Sequence, residues 1–336
     1  MLEKPNYPDE KIVACLQAEF GLRTVDFAFL PLGGDLDSAV YRSVSADGTA
    51  YFCKLRRGEF DPTTVTLPRW MSEQGLRQII APLRNLSGQL WALLDEFHLM
   101  LYPFVPGENG YDVELSESQW ADFGAALNRI HTLPLPPELR RGIAREDYSP
   151  LWRGRCRKIL QRLEDETLDD PVMAELAALL RSQREPILDG IVRAEELARD
   201  MPALALESVL CHGDIQPANL HIDASGAVFI VDWDYPILAP KERDLMFIGG
   251  GQGFKPGVAE REELLFYRGY GPSRPHPLAL TYYRYERAIT DLAVEAERVL
   301  SPVLSTSERA QSLQYIKWFF LPGATLEVAR QSDPAR

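Results

Sequence analysis

Apolar residues near the start of the chain recur at the spacing of one helical face. These residues are Ile12, Val13, Leu16 and Phe20. Gly21 follows directly, and glycine often ends a helix because it adopts the left-handed conformation without strain. The pattern predicts an amphipathic helix over residues 9–20.

The spacing then changes to short apolar or alternating runs, which are typical of β-strands. The predicted strands are 25–31, 39–45, 50–56, 89–95 and 98–104. Glycine-containing or polar turns separate most of them, and a helix is predicted at 63–74. Because short turns join neighbouring runs, we expect a five-stranded antiparallel sheet.

Helical patterns dominate the rest of the chain. Ser116 and Gln119 form a capping-box pattern before an apolar stripe at helical spacing. Further helices are predicted at 150–165, 171–182, 186–199, 241–248 and 278–300. A hairpin at about 219–232 interrupts them. We therefore predict an α+β protein with two domains, 1–105 and 106–336.

Composition and charge limit the possible functions. The 336 residues exceed the usual size of a single hydrophobic core. The sequence contains no run of about 18 apolar residues, which is the length that a membrane-spanning helix requires. The formal charge of −13 repels nucleic acid and weakly favours a cationic small molecule. The four cysteines show no metal-binding spacing. The acidic, polar start differs from a secretory signal, so we expect a cytoplasmic protein.

Three polar residues around the predicted hairpin suggest a catalytic site. Asn219 precedes the first strand and Asp232 follows the second, so pairing of the strands would bring them together. A carboxylate and an amide oxygen suit Mg²⁺ that also binds phosphates. Asp214 lies in the preceding loop, where it could accept a proton from a hydroxyl. Each residue alone would also fit an ordinary turn.

The segment His212-Gly213-Asp214, followed by Asn219 and by Asp232 after an apolar strand, resembles the aminoglycoside phosphotransferase and choline kinase family. The resemblance implies a bilobal protein-kinase-like fold that uses ATP and Mg²⁺. It assigns Asp214 as the catalytic-loop carboxylate, and Asn219 and Asp232 as metal ligands.

The resemblance also assigns Lys54, in the third predicted strand, to the α- and β-phosphates of ATP. A solvated lysine on an edge strand is the alternative. Such a lysine normally pairs with an acidic residue. Glu59, Asp61 and Glu73 are all possible partners, and the sequence does not decide among them.

Two further segments are candidates for nucleotide binding by their position. Gly33 and Gly34 occupy the turn after the first strand, where small residues let the backbone approach phosphates, although a glycine pair between strands is more often only a hairpin turn. Tyr102, Phe104 and Val105 end the fifth strand, where the family binds adenine. An ordinary linker is the alternative there.

Within the family, the segment 239–251 and the Tyr-Tyr-Arg stretch at 282–284 are similar to the spectinomycin phosphotransferases. This implies phosphorylation of a hydroxyl group on a cationic aminocyclitol or aminoglycoside. Asp234, Glu286 and Asp291 are the candidate substrate residues, and Asp244 is expected to brace the catalytic loop. A salt-bridged surface helix would also explain the charges near 284–291.

Other functions remain open at this point. A kinase for choline, homoserine or another amino alcohol would share the catalytic pattern, but choline would require an aromatic cage. A nucleotide-binding pseudokinase scaffold is the alternative from a different class, although the catalytic residues are all present. A phosphohydrolase would need the histidine and carboxylate clusters of a two-metal site, which the sequence lacks.

Overall fold

The computed structural model describes residues 4–33, 37–165, 169–249 and 259–335. The chain forms two compact units, each built from separate segments. The first comprises Met1–Leu115, Leu135–Ile143 and Pro217–Pro236, and the second comprises Ser116–Pro134, Ala144–Gln216 and Ile237–Arg336. The units therefore interleave along the chain, whereas the sequence predicts a single division at 105/106.

A five-stranded antiparallel sheet forms the centre of the first unit, as predicted. Its strands are β1 (Thr24–Leu30), β2 (Ser38–Ser45), β3 (Ala50–Arg57), β4 (Ala92–Leu94) and β5 (Phe97–Pro103), in the order β1-β2-β3-β5-β4. All four strand pairs are antiparallel. Short links join β2 to β3 and β4 to β5, whereas β3 and β5 pair although a helix (Thr63–Glu73) and strand β4 lie between them in the sequence. The predicted α+β class is thus confirmed.

Two helices accompany this sheet at the predicted positions. Helix α1 (Asp9–Phe20) ends where Gly21 adopts φ 68°, a left-handed conformation that favours glycine. Helix α2 spans Thr63–Glu73. The face of α1 that carries Ile12 and Leu16 is fully buried against the sheet, so its amphipathic pattern records this packing.

A second, three-stranded sheet of the first unit contains the predicted hairpin. Its strands are β6 (Gly107–Asn109), β9 (Leu220–Asp223) and β10 (Val228–Ile230), in the order β10-β9-β6. The Asp223 carboxylate accepts bonds from the backbone N–H groups of Ser225 and Ala227 at 2.8 and 2.9 Å, which closes the turn. The short helix α4 (Pro137–Gly142) also belongs to this unit.

The second unit is mainly helical. Its helices are α3 (Glu117–His131), α5 (Leu151–Asp165), α6 (Pro171–Ser182), α7 (Arg184–Asp200), α8 (Glu242–Leu245), α9 (Ala259–Tyr270), α10 (Pro277–Val299), α11 (Thr306–Phe319) and α12 (Thr325–Gln331). The predicted capping box at Ser116 and Gln119 is confirmed. Helix α8 is shorter than the predicted 241–248, and a turn replaces its second half.

Three short strands complete the second unit: β7 (Ala144–Arg145), β8 (Ser208–Cys211) and β11 (Ile237–Pro240). They form a sheet in the order β7-β11-β8. Strand β8 leads directly into the segment that begins at His212, so the sheet fixes the start of the predicted catalytic loop.

All four cysteines are buried thiols without a disulfide, as predicted. Among the described residues, no helix has both the length and the apolar character that a membrane span requires.

Candidate active site

Lys54 lies on β3, the central strand of the five-stranded sheet. It is therefore not a lysine of an edge strand. Its side chain is 15% exposed, and its Nζ donates to the two carboxylate oxygens of Asp234 at 2.8 and 2.7 Å. The Asp232 carboxylate lies 3.4 Å away. Burial opposes the charge of Lys54, but the attraction of Asp232 and Asp234 prevails and raises its pKa.

Arg56 follows two positions later on β3, so it projects from the same face of the strand as Lys54. Its Nη1 donates to the Asp234 carboxylate at 3.3 Å. Asp234 is 13% exposed and therefore binds two cations in a nearly buried setting. The sequence predicts Asp234 as a substrate residue, whereas the structure places it against Lys54 and Arg56.

None of the three acidic residues that the sequence offered as partners of Lys54 has that role. The Asp61 carboxylate accepts from the backbone N–H of Thr63 at 2.8 Å, at the start of α2. Glu73 pairs with Arg69 at 2.7 Å, and the backbone carbonyl of Glu59 accepts from an arginine of β3. Within the described part of the chain, the carboxylates that pair with Lys54 come from the segment after β10.

Asn219 and Asp232 lie at the same end of the hairpin, as predicted. Leu220 pairs with Ile230, and the backbone N–H of Val231 donates to the carbonyl oxygen of Asn219 at 3.0 Å. Asn219 is 7% exposed, whereas the Asp232 side chain is 49% exposed and its φ is 63°. A half-exposed carboxylate beside a buried asparagine provides hard oxygen donors that fit Mg²⁺.

The glycine turn after β1 is only partly described. Gly33 has a φ of 89°, a conformation that favours glycine. Gly34 lies outside the described residues. The positive φ of Gly33 is compatible both with phosphate binding and with a simple turn.

The three candidate adenine-binding residues follow one another at the end of β5. Tyr102 packs edge-on against Phe52 of β3, with ring centres 6.3 Å apart. The backbone N–H of Phe104 donates to the Ala50 carbonyl at 3.2 Å. The carbonyl of Val105 lies 2.9 Å from the Nε2 of His221. Backbone bonds thus fix the direction of this segment.

In the second unit, the loop that contains Asp214 is bound to a buried carboxylate. Asp244 of α8 is fully buried, and its two oxygens accept from the backbone N–H groups of His212 and Gly213 at 2.9 and 2.8 Å. Burial alone would raise its pKa, but these bonds and His131 lower it. The carboxylate therefore stays charged, and the predicted brace is confirmed.

His131 is a participant that the sequence analysis missed. Its Nε2 lies 3.0 Å from an Asp244 oxygen, and its Nδ1 lies 2.7 Å from the hydroxyl of Tyr270. The signal was a histidine on the buried face of α3. The thiol of Cys211 is also close to His131 and Asp244, but it donates to two backbone carbonyls of β11 at 3.6 and 3.7 Å. These groups form a hydrogen-bonded support for the loop.

Asp214 itself is held from two sides. Its Oδ1 accepts from Nη1 of Arg287 at 2.5 Å, and its Oδ2 accepts from the Gln216 amide at 3.2 Å. Arg287 in turn donates from Nε to Asp291 at 2.7 Å. Two of the predicted site residues, Asp214 and Asp291, thus share one guanidinium.

Helix α10 contains the salt bridge Arg287–Asp291 that the charge pattern allowed, but its other charged residues near this pair contact different segments of the unit and not solvent alone. Arg284 donates to the carbonyls of Met246 and Ile248 at 3.3 and 3.0 Å. Glu286 forms a buried ion pair with Arg153, the two side chains being 12% and 3% exposed. Burial raises the pKa of Glu286 to about 7. Glu286 is therefore engaged inside the helical unit.

Comparisons with known proteins identify the family of this chain. Residues 28–278 match the model of the phosphotransferase enzyme family. The chain is similar to spectinomycin phosphotransferase APH(9)-Ia in complex with ADP and spectinomycin, at 31% identity and a TM-score of 0.90, over 98% of this chain and 99% of that one. The AMP-bound complex of that enzyme is 30% identical with a TM-score of 0.83, over 96% of this chain and 98% of that one.

A choline kinase from Streptococcus pneumoniae, LicA, is 11% identical with a TM-score of 0.56, over 96% of this chain and 99% of that one. At this identity only the fold is shared. No curated protein sequence matches the chain.

The antiparallel sheet, the helical part of the chain and the match to known phosphotransferases together identify a small-molecule phosphotransferase with a protein-kinase-like fold. The chain belongs to the phosphotransferase enzyme family, whose model covers most of its length.

Proposed function

We propose that this enzyme transfers the γ-phosphoryl group of ATP to a hydroxyl group of a cationic aminocyclitol or aminoglycoside, with spectinomycin as the leading candidate. The observation that carries this proposal is the 31% identity to APH(9)-Ia, whose complex contains ADP and spectinomycin, over 98% of the chain. The formal charge of −13 is compatible with a cationic acceptor.

In this proposal Lys54 binds the α- and β-phosphates of ATP. Asp234 holds its ammonium in place and keeps it charged, which is why we now assign Asp234 to phosphate binding and not to the acceptor. Asn219 and Asp232 would hold Mg²⁺, for which their oxygens are suitable donors. When bound, this ion neutralises charge on the phosphates.

Asp214 is the residue to which we assign the acceptor hydroxyl. A carboxylate in this position accepts the hydroxyl hydrogen and directs the oxygen towards the γ-phosphorus. Phosphoryl transfer depends mainly on such positioning and on charge stabilisation, since the protein forms no covalent bond in the step. The two bonds to the Asp214 carboxylate favour this role because they fix its orientation.

Two further segments complete the proposed nucleotide site. Gly33 and Gly34 would approach the phosphates, and Tyr102, Phe104 and Val105 would enclose the adenine. We retain 1–105 as the nucleotide-binding part and 106–336 as the catalytic and acceptor-binding part. A cytoplasmic location would supply ATP.

Among the candidate acceptor residues, Asp291 is the one that we retain. It is connected to Asp214 through Arg287, and its side chain is 24% exposed. Glu286 is not retained because its carboxylate is paired with the buried Arg153.

The direct test is ADP release by the purified protein with Mg²⁺ and ATP, in the presence of spectinomycin, other aminoglycosides, choline or homoserine. The Asp214→Asn variant serves as the matched background. We expect stimulation by spectinomycin that the variant lacks. Stimulation by choline or homoserine alone would overturn the acceptor, and ADP release that no acceptor changes would overturn phosphotransfer.

A further inference from the structure

Arg287 of α10 binds two carboxylates with two different nitrogens of its side chain. Nη1 donates to Asp214 at 2.5 Å, and Nε donates to Asp291 at 2.7 Å. Asp291 lies one turn further along the same helix, in an i,i+4 arrangement. The guanidinium is therefore anchored through Nε to its own helix and contacts the loop of Asp214 through Nη1.

The surroundings of Arg287 keep it charged and restrict its movement. Its side chain is 23% exposed, and its guanidinium carbon lies 5.2 Å from the ring centre of Phe247. Burial acts against its charge, but Asp291 and Asp214 raise its pKa. Burial also raises the pKa of Asp291, which Arg287 partly offsets. Arg287 and Asp291 therefore stabilise each other's charged form.

This arrangement determines how Asp214 faces an acceptor. Arg287 occupies Oδ1, and the amide of Gln216 approaches Oδ2 at 3.2 Å. A carboxylate with both oxygens bonded cannot rotate freely about its last torsion. In a reaction that depends on alignment, a displacement of about 1 Å costs about 10²-fold in rate.

We propose that Arg287 is a positioning residue of the phosphotransfer reaction, which fixes the carboxylate of Asp214 for the acceptor hydroxyl and is itself anchored by Asp291. This inference rests on the proposed function, since it assumes that Asp214 receives the acceptor. Arginine suits the role because its planar fork offers separate nitrogens in a fixed geometry, whereas lysine has a single ammonium.

The test compares Arg287→Ala with Arg298→Ala, a matched control on the same helix. Arg298 is 25% exposed and donates to the hydroxyl of Ser312 at 3.1 Å, so it also loses a polar contact when truncated. We expect Arg287→Ala to lose about 10²-fold in kcat with the KM for ATP unchanged, and Arg298→Ala to keep the wild-type kcat.

Guanidinium ion at non-denaturing concentration supplies a readout that a merely structural role would not give. It should restore part of the kcat of Arg287→Ala by occupying the vacated position, and should restore none to Asp214→Asn. If Arg287→Ala does not fold, Arg287→Lys replaces it. That variant keeps the charge but should still lose about tenfold in kcat, equivalent to about 1.4 kcal/mol.

The outcomes separate the two proposals. A wild-type protein that shows no acceptor-dependent ADP release overturns the proposed function and this inference with it. An active wild type with an unaltered kcat in the Arg287 variants overturns only the inference. An equal loss in Arg298→Ala, or a loss that guanidinium does not repair, also overturns it, because the effect would then be structural.

Discussion

Each unit of the molecule contains a cation between two aspartates, and the two groups differ in construction. In the first unit Lys54 lies between Asp232 and Asp234, at 3.4 and 2.7 Å. In the second, Arg287 lies between Asp214 and Asp291, at 2.5 and 2.7 Å. We call these the lysine group and the arginine group.

The difference lies in the cation and in the exposure of the carboxylates. The lysine ammonium is a compact charge on a flexible stem, and Asp232 of the lysine group is half exposed. The arginine group has a planar cation, and its three side chains are all 23–24% exposed. The lysine group is thus suited to the phosphate binding that we propose for it, whereas the arginine group is suited to keeping one carboxylate in a fixed orientation.

The largest expected effect is on the arginine group. Asp214→Asn keeps the size of the side chain but removes the charge to which we assign the hydroxyl hydrogen, so kcat should fall about 10²–10⁴-fold. Affinity for ATP, measured by calorimetry, should stay at the wild-type value. Turnover comparable to the wild type would remove Asp214 from the reaction and leave the arginine group without a catalytic role.

The buried ion pair of Arg153 with Glu286 of α10 allows the effect of burial on the pKa of a carboxylate to be measured separately. Burial raises the pKa of Glu286 from its ordinary value of 4.5 to about 7. Between these values the folded protein retains a proton that the unfolded chain releases, so stability declines as the pH rises through this window. The Gln side chain does not titrate. The free energy of unfolding of Glu286→Gln, relative to that of the wild type, should therefore rise by up to about 3 kcal/mol from pH 4.5 to pH 7.

Urea unfolding of both proteins at the two ends of this pH window measures the change. Glu297→Gln is the control, because the pair that Glu297 forms with Arg155 is 43% exposed on both sides and such surface pairs contribute about 1 kcal/mol or less. A Glu286→Gln difference that is the same at both pH values would contradict the raised pKa.

The lysine group should respond through ATP. Lys54→Met removes the cation that we assign to the phosphates, so kcat/KM for ATP should fall about 10²-fold. It also leaves Asp234 nearly buried without this partner, which destabilises the fold. The double variant Lys54→Met with Asp234→Asn should recover stability without recovering turnover. Recovery of both would show that Lys54 acts only in folding.

The smallest expected effect is that of Asp234→Asn. The amide still accepts a bond from Lys54 but does not attract its charge, so the ammonium is held less firmly. We expect kcat/KM for ATP to fall about tenfold, equivalent to about 1.4 kcal/mol, with the KM for the acceptor unchanged. A selective rise in the acceptor KM would instead restore the sequence-based assignment of Asp234 to substrate binding.

Elements with strong local signals could be predicted from the sequence. The first five strands, the hairpin around Asp223 and the capping box at Ser116 all depend on turn or cap residues a few positions away. The sequence analysis does not predict strands β6, β7, β8 and β11, because they are two to four residues long and exist through pairing with distant segments. It also misses helices α4, α9, α11 and α12.

The site shows the same division. The motif gave Asp214, Asn219 and Asp232, and the structure brings the last two together through the hairpin. The partners of the cations could not be found, because Lys54 and Asp234 are 180 residues apart and Arg287 and Asp214 are 73 apart. Only the folded chain decides which of many acidic residues meets a given cation.

Transfer of the phosphoryl group from ATP to a hydroxyl group of the acceptor can be followed by phosphorus NMR of a reaction with Mg²⁺, ATP and spectinomycin. We expect a phosphate monoester of spectinomycin that appears in equal amount with ADP and is absent with Asp214→Asn. Inorganic phosphate as the only product alongside ADP would contradict this transfer.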